Sequence, residues 1–386
     1  MLVPAAAVLL VLGVKASGAQ ASRWIQYGLQ DDAWLAAGPG PNTLPARIAL
    51  LEKLGVGIVR YNLPWDEIAA ERPLTPADPN DPAYQWGYSD PVLDALHDAG
   101  IAALVTINGT PSWANGGRAS AYMPTSSTAI GGFATAAALH YPWVKKWTIW
   151  NEPNQLRWLR PGSPSLYVTR LLNPAYAALH SVIPGVQVAT GGTAPRAATG
   201  GLSPIAWLSG LHAAHARFDA YFGKKPIWLT EYGYQTRPPD AYLGVSWALQ
   251  ALYVSEAALR AYELPQVTVL IQYLYRDEPD LGAWQSGFQT VDGKIKPAFA
   301  AFRLPLAEIP GPAAATTTLW GQIRTGSGRR SYVLQELVGG RWKAVGGSRL
   351  TLATGVFEVP VDAASGSHFR VWSPRDRAYS PTLTIT

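Results

Sequence analysis

Trp147-Thr148-Ile149-Trp150-Asn151-Glu152-Pro153-Asn154 is the most informative stretch of this chain, and Ile227-Trp228-Leu229-Thr230-Glu231-Tyr232-Gly233-Tyr234 has the same construction. In each, a short β-type run ends in a glutamate, which is followed by a residue that breaks or turns the strand. The carboxyl end of a buried strand is where parallel α/β folds put their chemistry. The two stretches therefore predict two carboxylates at the functional edge of one parallel sheet.

Outward from these stretches, strand-like and helix-like runs alternate from Trp24 to about Leu304. The candidate strands are Ile25–Leu29, Gly57–Tyr61, Ala103–Ile107, Trp147–Asn151, Val186–Ala189, Ile227–Glu231 and Val267–Gln272. The amphipathic stretches between them are Pro45–Leu54, Pro91–Ala99, Ile130–His140, Leu166–Val182, Pro204–His215 and Trp247–Tyr262. Such alternation predicts a parallel sheet, and about eight repeats of it predict an α/β fold of the (β/α)8 TIM-barrel type.

The spacing of these runs leaves the sixth strand in doubt. The interval from Val186 to Ile227 has room for a single βα unit, whereas an eight-strand count requires two. Phe218–Tyr221 is the one candidate for a sixth strand, and the seventh follows it almost at once, without the dozen residues that a parallel crossover needs. We therefore expect a barrel whose sixth strand or helix is shortened or missing.

The pattern of the sequence changes after about Pro310, where the alternation of strands and helices ends and a linker-like Pro-Gly-Pro-Ala stretch begins. Short β runs separated by glycine turns follow it to the end of the chain. About 75 residues of this kind are typical of a small all-β sandwich. The expected organisation is a barrel over residues 22–308 and a small β-sandwich over residues 309–386.

The amino-acid composition limits the classes of function that the protein can have. Of the 386 residues, 48% are hydrophobic and 15% charged, which suits a large folded core. The net charge of +5 comes from scattered Arg and Lys, and without a dense basic run we expect no nucleic-acid partner. The 16 Trp and 18 Tyr suit sugar rings, although large barrels bury many aromatics for packing alone. The absence of cysteine excludes disulfides, thiolate nucleophiles and Cys–zinc sites.

The first 21 residues have the pattern of a secretory signal peptide. Leu2 to Val14 is apolar but short for a membrane span, and Ala19-Gln20-Ala21 supplies a small-x-small cleavage site. The positive charge, Lys15, follows the apolar run instead of preceding it. We expect a secreted protein, with an uncleaved anchor or a misassigned start as the alternatives.

The two glutamate stretches resemble known catalytic motifs. Asn-Glu-Pro after Trp-Thr-Ile-Trp resembles the acid/base motif on strand four of the clan A glycoside hydrolases, which include cellulase-like and β-xylosidase-like enzymes. Leu-Thr-Glu-Tyr-Gly resembles the nucleophile motif on their strand seven. The resemblance covers roughly residues 24–304. It implies a retaining β-glycosidase in which Glu152 is the acid/base, Glu231 is the nucleophile and the two carboxyls lie about 5 Å apart.

The same resemblance implies roles for residues around this pair. Asn151 would hydrogen-bond the sugar 2-hydroxyl, and Arg60, at the end of the second strand, would lie near the nucleophile and favour its ionised form, although a structural ion pair is the alternative. The further predicted substrate-binding residues are Trp113, Tyr232, Tyr273 and Trp284. Trp113 is as readily explained by core packing. The family mechanism needs no metal or organic cofactor.

Departures from the family pattern leave alternatives open. Strand six of the family often carries a His or Tyr that contacts the nucleophile, and only Tyr221 could substitute here. A carbohydrate-binding pseudoenzyme of the same fold, or a structural envelope protein, is therefore an alternative to an active glycosidase acting on an oligo- or polysaccharide. His212 and His215 lie three apart on a predicted helix with no third ligand nearby, so no zinc site is expected. We expect a monomer.

Overall fold

The computed structural model describes residues 21–22, 24–37, 43–214, 225–311 and 316–386. The expected signal segment, apart from its last residue, lies outside the described residues. So do the candidate sixth strand Phe218–Tyr221, with the proposed substitute Tyr221, and His215.

Seven parallel strands form the main sheet, in the order β5-β4-β3-β2-β1-β7-β6. They are β1 (Gln26–Gln30), β2 (Ile58–Pro64), β3 (Ala102–Asn108), β4 (Lys146–Ile149), β5 (Gln187–Thr190), β6 (Ile227–Tyr232) and β7 (Val267–Tyr273). The pairing of the first strand with β7 and the parallel order confirm a TIM-barrel-like domain. Among the described residues β5 and β6 are the edges of the sheet, which is where the expected sixth strand would belong.

Helices connect these strands on the outside of the sheet. They are α1 (Asp32–Ala37), α2 (Leu44–Leu54), α3 (Trp65–Ile68), α4 (Asp90–Asp98), α5 (Ser112–Asn115), α6 (Ser127–His140), α7 (Pro164–Tyr167), α8 (Asn173–Val182), α9 (Pro204–Ala213), α10 (Trp247–Glu263) and α11 (Ala298–Arg303). The stretch expected as one helix at 166–182 has a π-helical turn, Val168–Leu172, between α7 and α8. No helix of the described residues is long and apolar enough to cross a membrane.

The interior of the sheet is layered because inward-facing residues alternate along each strand. Its lower layer is apolar and consists of Ile58, Leu104, Val269 and Ile271. Two residues further along β2 and β3 the inward side chains become polar, at Arg60 and Thr106, and both are almost completely buried. The chemistry-bearing residues therefore lie above an apolar floor, toward the carboxyl ends of the strands.

The C-terminal part is all β, as expected. Its strands are β8 (Leu306–Pro310), β9 (Thr316–Gln322), β10 (Ser331–Val338), β11 (Arg341–Ala344), β12 (Arg349–Leu350), β13 (Val356–Asp362), β14 (His368–Ser373), β15 (Ala378–Tyr379) and β16 (Leu383–Thr384). A three-stranded sheet, β13-β9-β8, faces a six-stranded sheet built on β10 and β14. The two sheets enclose one core, to which Leu319 and Phe357 contribute from the first and Leu334 and Val371 from the second.

Candidate active site

A β-bulge turns Glu231 toward the interior of the barrel. In the pairing of β6 with β7, Leu229 lies opposite Leu270 and Tyr232 lies opposite Gln272, so Thr230 and Glu231 share the space of one partner residue. A bulge of this kind bends the strand and re-aims its side chains. It brings both the carbonyl of Thr230 and the carboxylate of Glu231 to the same guanidinium, that of Arg60.

Arg60 is the centre of the polar layer. Its side chain is 1% exposed and its Nη1 lies 3.0 Å from Oε2 of Glu231, whose side chain is 35% exposed. The guanidinium also donates to Thr106 Oγ1 at 3.1 Å and to Gln30 Oε1 at 2.8 Å. A buried guanidinium needs acceptors for its donors, and four strands, β1, β2, β3 and β6, supply or carry these groups. The Arg60 side chain is thereby held in one orientation against Glu231.

Asn151 lies on the other side of the same guanidinium. Nη2 of Arg60 donates to Oδ1 of Asn151 at 2.7 Å. Because a guanidinium has donors only, the amide oxygen must face it. The Nδ2 amide of Asn151 is thus directed away from Arg60.

The backbone at the end of β4 is strained where Glu152 follows. Trp150 and Glu152 have φ values of 79° and 39°, in the left-handed region that non-glycine residues rarely adopt. The indole of Trp150 donates to the carbonyl of Trp158 at 2.8 Å, and its backbone N–H donates to Ile107 at 2.7 Å. Gly191 allows this path, because a Cβ there would lie 2.4 Å from the Trp150 carbonyl oxygen. Strain of this kind clusters at functional sites.

The electrostatic environment of Glu152 keeps its carboxyl protonated to higher pH. Burial raises the pKa of Glu152, and the negative charge of Glu231 raises it further. A hydrogen bond with the Trp158 side chain, and then the charges of Arg60 and Arg157, act in the opposite direction, with smaller effects on the pKa. The influence of Glu231 places the two carboxyl groups within electrostatic reach of each other. One of them is thus biased toward the protonated form, and the other is ion-paired with Arg60.

Two aromatic side chains lie at the carboxyl end of β7 and in the loop that follows it. Burial raises the pKa of Tyr273, and the charges of Glu278, Glu231, Asp31 and Asp32 act in the same direction. Trp284 is 52% exposed and its ring stands at 88° to that of Tyr273, 6.2 Å away. Trp284 thus presents an exposed indole beside Tyr273, and a sugar ring can stack on a surface of this kind.

Two residues expected in the substrate site lie elsewhere. Tyr232 follows the bulge, so its ring lies on the helix side of β6 and contacts Tyr234 edge-on at 6.3 Å. It lines a groove with Tyr253 and Leu264 of the α10 side. Trp113 packs edge-on against Trp65 and donates its indole N–H to the carbonyl of Ala69. The packing explanation therefore applies to Trp113, and the expectation for Tyr232 is corrected because it faces away from Glu231.

Several polar residues of the site were not predicted from the sequence. Gln30 and Thr106 contact Arg60 directly, and Thr148 shares a 2.6 Å hydrogen bond with Thr106. Asp32 and Asn62 continue the same polar layer. The sequence carried a signal for them, since each lies in the carboxyl-terminal half of a strand or within two residues after it. Among the described residues no group of three or more His, Cys, Asp or Glu side chains could hold a metal ion.

A buried ion pair supports the loop between β7 and α11 (residues 274–297, the rim loop). It was not predicted from the sequence either. Nζ of Lys296 lies 2.7 Å from Oδ1 of Asp277, and both side chains are at most 1% exposed. The same ammonium donates to Thr236 Oγ1 at 2.8 Å and to the carbonyl of Gln285 at 3.2 Å. The pair thus ties the loop that carries Trp284 to the segment that follows β6.

Solved structures share this fold at low sequence identity. A family 39 glycoside hydrolase from Bacteroides cellulosilyticus WH2 aligns with a TM-score of 0.56 and 15% identity over 90% of this chain and 81% of its own. A glucosidase from Croceicoccus marinus aligns at 0.57, with 13% identity over 91% and 96% of the two chains. A GH30 endoxylanase from Clostridium papyrosolvens C71 aligns at 0.52, with 13% identity over 90% and 96%.

These alignments confirm the expected fold, a TIM-barrel-like domain followed by an all-β part. No protein-family model matches the sequence, and no curated protein matches it either.

Proposed function

We propose that this protein is a secreted retaining β-glycosidase that hydrolyses O-glycosidic bonds by double displacement. The observation that carries the proposal is the position of the buried Arg60 guanidinium, which contacts Glu231 on one side and Asn151 on the other. Next to it Glu152 has a raised pKa, caused first by burial and then by Glu231. A protonated carboxyl and an ion-paired carboxylate in one cleft are the two groups that retaining hydrolysis requires.

In the first step the Glu231 carboxylate attacks the anomeric carbon and the bond to the leaving oxygen breaks. Glu152 donates its proton to that oxygen, so the aglycone leaves as a neutral alcohol. In the second step the ionised Glu152 takes a proton from water, and the water oxygen displaces Glu231 from the anomeric carbon. Two inversions give net retention. Asn151 donates to the 2-hydroxyl, Arg60 holds both Glu231 and Asn151, and Trp284 with Tyr273 stacks against the substrate.

Secretion is supported by the apolar Leu2–Val14 run and the Ala-Gln-Ala site that follows it. The substrate is proposed to be an oligo- or polysaccharide and the protein a monomer.

The test is the stereochemistry and leaving-group dependence of hydrolysis. Proton NMR of the reaction on aryl β-glycosides is expected to show the β-anomer as the first product. Glu152→Ala is expected to lower kcat/KM by about 100-fold to 10,000-fold for poor leaving groups and to spare 2,4-dinitrophenyl glycosides. An α-anomer formed first, or an equal loss on both leaving groups, would contradict the assigned roles.

A carbohydrate-binding pseudoenzyme is the second candidate, and one observation favours it. The interval from Val186 to Ile227 has room for a single βα unit, whereas the family pattern places two there, with a His or Tyr on strand six that contacts the nucleophile. Calorimetric binding of oligosaccharides without hydrolysis of any aryl β-glycoside would select this candidate.

A further inference from the structure

The polar layer contains a third carboxylate that the proposed double displacement does not use. Asp32 is the second residue after β1 and is partly exposed. Gln30 joins it to the catalytic cluster: Nε2 of Gln30 donates to Oδ2 of Asp32 at 3.4 Å, and Oε1 of Gln30 accepts from Arg60 at 2.8 Å. Arg60 in turn contacts Glu231. Asp32 is thus connected to the proposed nucleophile through two side chains.

Asn62 fixes the orientation of the Asp32 carboxylate. The backbone N–H of Asn62 donates to Oδ1 at 3.1 Å and its side-chain amide donates to Oδ2 at 2.7 Å. Asn108 donates to the oxygen of that amide at 3.4 Å. Asn62 and Asn108 each lie two residues beyond a buried polar side chain, Arg60 on β2 and Thr106 on β3. By the two-residue period of a strand they continue the inward-facing polar layer.

The geometry leaves Asp32 with acceptor capacity that the protein does not fill. A carboxylate offers about four acceptor directions, and the three N–H groups of Asn62 and Gln30 occupy three of them, two on Oδ2 and one on Oδ1. The unfilled direction belongs to Oδ1, and the residue is partly exposed. Burial is the main cause that raises the pKa of Asp32, because it disfavours the ionised carboxylate. A hydrogen bond from a ligand hydroxyl would stabilise that ionised form.

The place of Asp32 relative to Asn151 suggests which part of a sugar it meets. Arg60 lies between them, since it contacts Asn151 through Nη2 and the Gln30 that adjoins Asp32 through Nη1. If Asn151 meets the 2-hydroxyl, Asp32 lies toward hydroxyls that are more distant from the bond that is cleaved. A sugar carboxylate at that end would face Asp32, and Arg60 is already engaged by Glu231 and Asn151.

We propose that Asp32 is a specificity residue of the sugar site, which accepts hydrogen bonds from distal hydroxyls of a neutral glycosyl unit and disfavours a uronic acid there. This inference rests on the proposed glycosidase function and adds the class of sugar to it. Asn62 and Gln30 act as positioning residues that hold the acceptor in place.

The test compares 4-nitrophenyl β-glycosides of glucose, galactose, xylose and glucuronic acid, followed by 3-deoxy and 4-deoxy forms of the best neutral substrate. For the wild type, kcat/KM is expected to be at least about 100-fold higher on the best neutral glycoside than on the glucuronide, because like charges meet in the cleft. Asp32→Asn is expected to lower the neutral value by about tenfold to 100-fold, the size of one charge-assisted hydrogen bond. Asp98→Asn is the matched control: it makes the same charge change at an exposed position, the last residue of α4, and is expected to leave kcat/KM unchanged.

The deoxy substrates separate recognition from a structural role. If Asp32 binds the hydroxyl that a deoxy substrate lacks, the wild type has a low kcat/KM on that substrate, and Asp32→Asn lowers it little further. The loss from the substitution and the loss from removing the hydroxyl are then not additive. Fully additive losses, or a preference of the wild type for the glucuronide, would overturn the proposal. Thermal melting of Asp32→Asn close to that of the wild type shows that the fold is intact.

Failure of the proposed function can be distinguished from failure of the inference about Asp32. If the wild type hydrolyses none of these glycosides, catalysis as proposed is wrong, and calorimetry with the neutral gluconolactam and its uronic counterpart decides this inference alone. Tighter binding of the neutral lactam, lost in Asp32→Asn, supports it. Equal binding of the two lactams, or equal binding by both proteins, refutes it.

Discussion

Arg60→Lys is the substitution that examines the centre of the site, because it keeps the charge and removes the planar guanidinium. Arg60 makes five hydrogen bonds, to Thr106, Gln30, the Thr230 carbonyl, Glu231 and Asn151. An ammonium has three donors and cannot form the same fork, so at least two of these acceptors lose their partner. The contact with Asn151 comes from Nη2, on the opposite arm of the fork from the Glu231 contact, and one ammonium cannot make both.

The expected loss follows from the contacts that are abandoned. A hydrogen bond from a charged donor contributes about 1.5 to 3 kcal/mol. If one such bond stabilises the transition state, its loss lowers kcat/KM by about 10-fold to 150-fold. Because Asn151 is then no longer oriented, the penalty is expected to be smaller on a 2-deoxy glycoside, which makes no contact with it. Unfilled acceptors in the buried layer add about 1 to 3 kcal/mol of destabilisation.

The assay is steady-state hydrolysis of matched aryl glycosides with and without the 2-hydroxyl, together with thermal unfolding. Arg260→Lys is the matched control, since Arg260 is 57% exposed and pairs with Glu256 and Glu263 on the surface of α10. Surface pairs of this kind contribute at most about 1 kcal/mol. Arg60→Lys activity within about twofold of the wild type on both substrates would refute the role given to this guanidinium.

Three further outcomes are expected. The basic limb of the pH profile of kcat/KM reflects loss of the Glu152 proton as pH rises through its raised pKa. Glu152→Gln should therefore abolish that limb. A basic limb that remains in this variant would belong to another group. Gly191→Ala should destabilise the fold by about 1 to 3 kcal/mol in denaturant unfolding, because its Cβ would meet the Trp150 carbonyl. Gly131→Ala, with open space around the added Cβ, should not destabilise it. Equal stability of the two variants would contradict the close approach of Gly191 to Trp150. Lys296→Met should cost about 3 to 5 kcal/mol because Asp277 is left buried without its cation, and Lys296→Met with Asp277→Asn should recover part of this in calorimetry; no recovery would contradict the pairing.

The barrel and its floor follow from local patterns that a sequence displays. The strands at Ala102–Asn108 and Val267–Tyr273 lie within a residue or two of their expected bounds, because apolar runs between helical stretches mark buried parallel strands. Glu152 and Glu231 were also predictable, since each is flanked by a strand and a breaker.

The details of the site depend on contacts between distant parts of the chain. The bulge at Thr230–Glu231 reverses the inward and outward assignment that simple alternation gives to Tyr232, and nothing in the local sequence marks it. The links from Arg60 to Gln30 and Asn151 join residues of β2 and β1 with the segment that follows β4. Asp277 and Lys296 look like two surface charges in the sequence, and only the folding of the rim loop buries them together.

Trapping with a 2-deoxy-2-fluoro-β-glycosyl fluoride of the best neutral sugar, followed by peptide mass spectrometry, tests the central arrangement most directly. The fluorine slows both displacement steps, and the good leaving group lets the glycosyl-enzyme accumulate. We expect one equivalent of label on the peptide that contains Glu231, and none in Glu231→Ala. Label on Glu152 or on any other carboxylate, while hydrolysis proceeds normally, would contradict the pairing of Glu152 as acid with Glu231 as nucleophile.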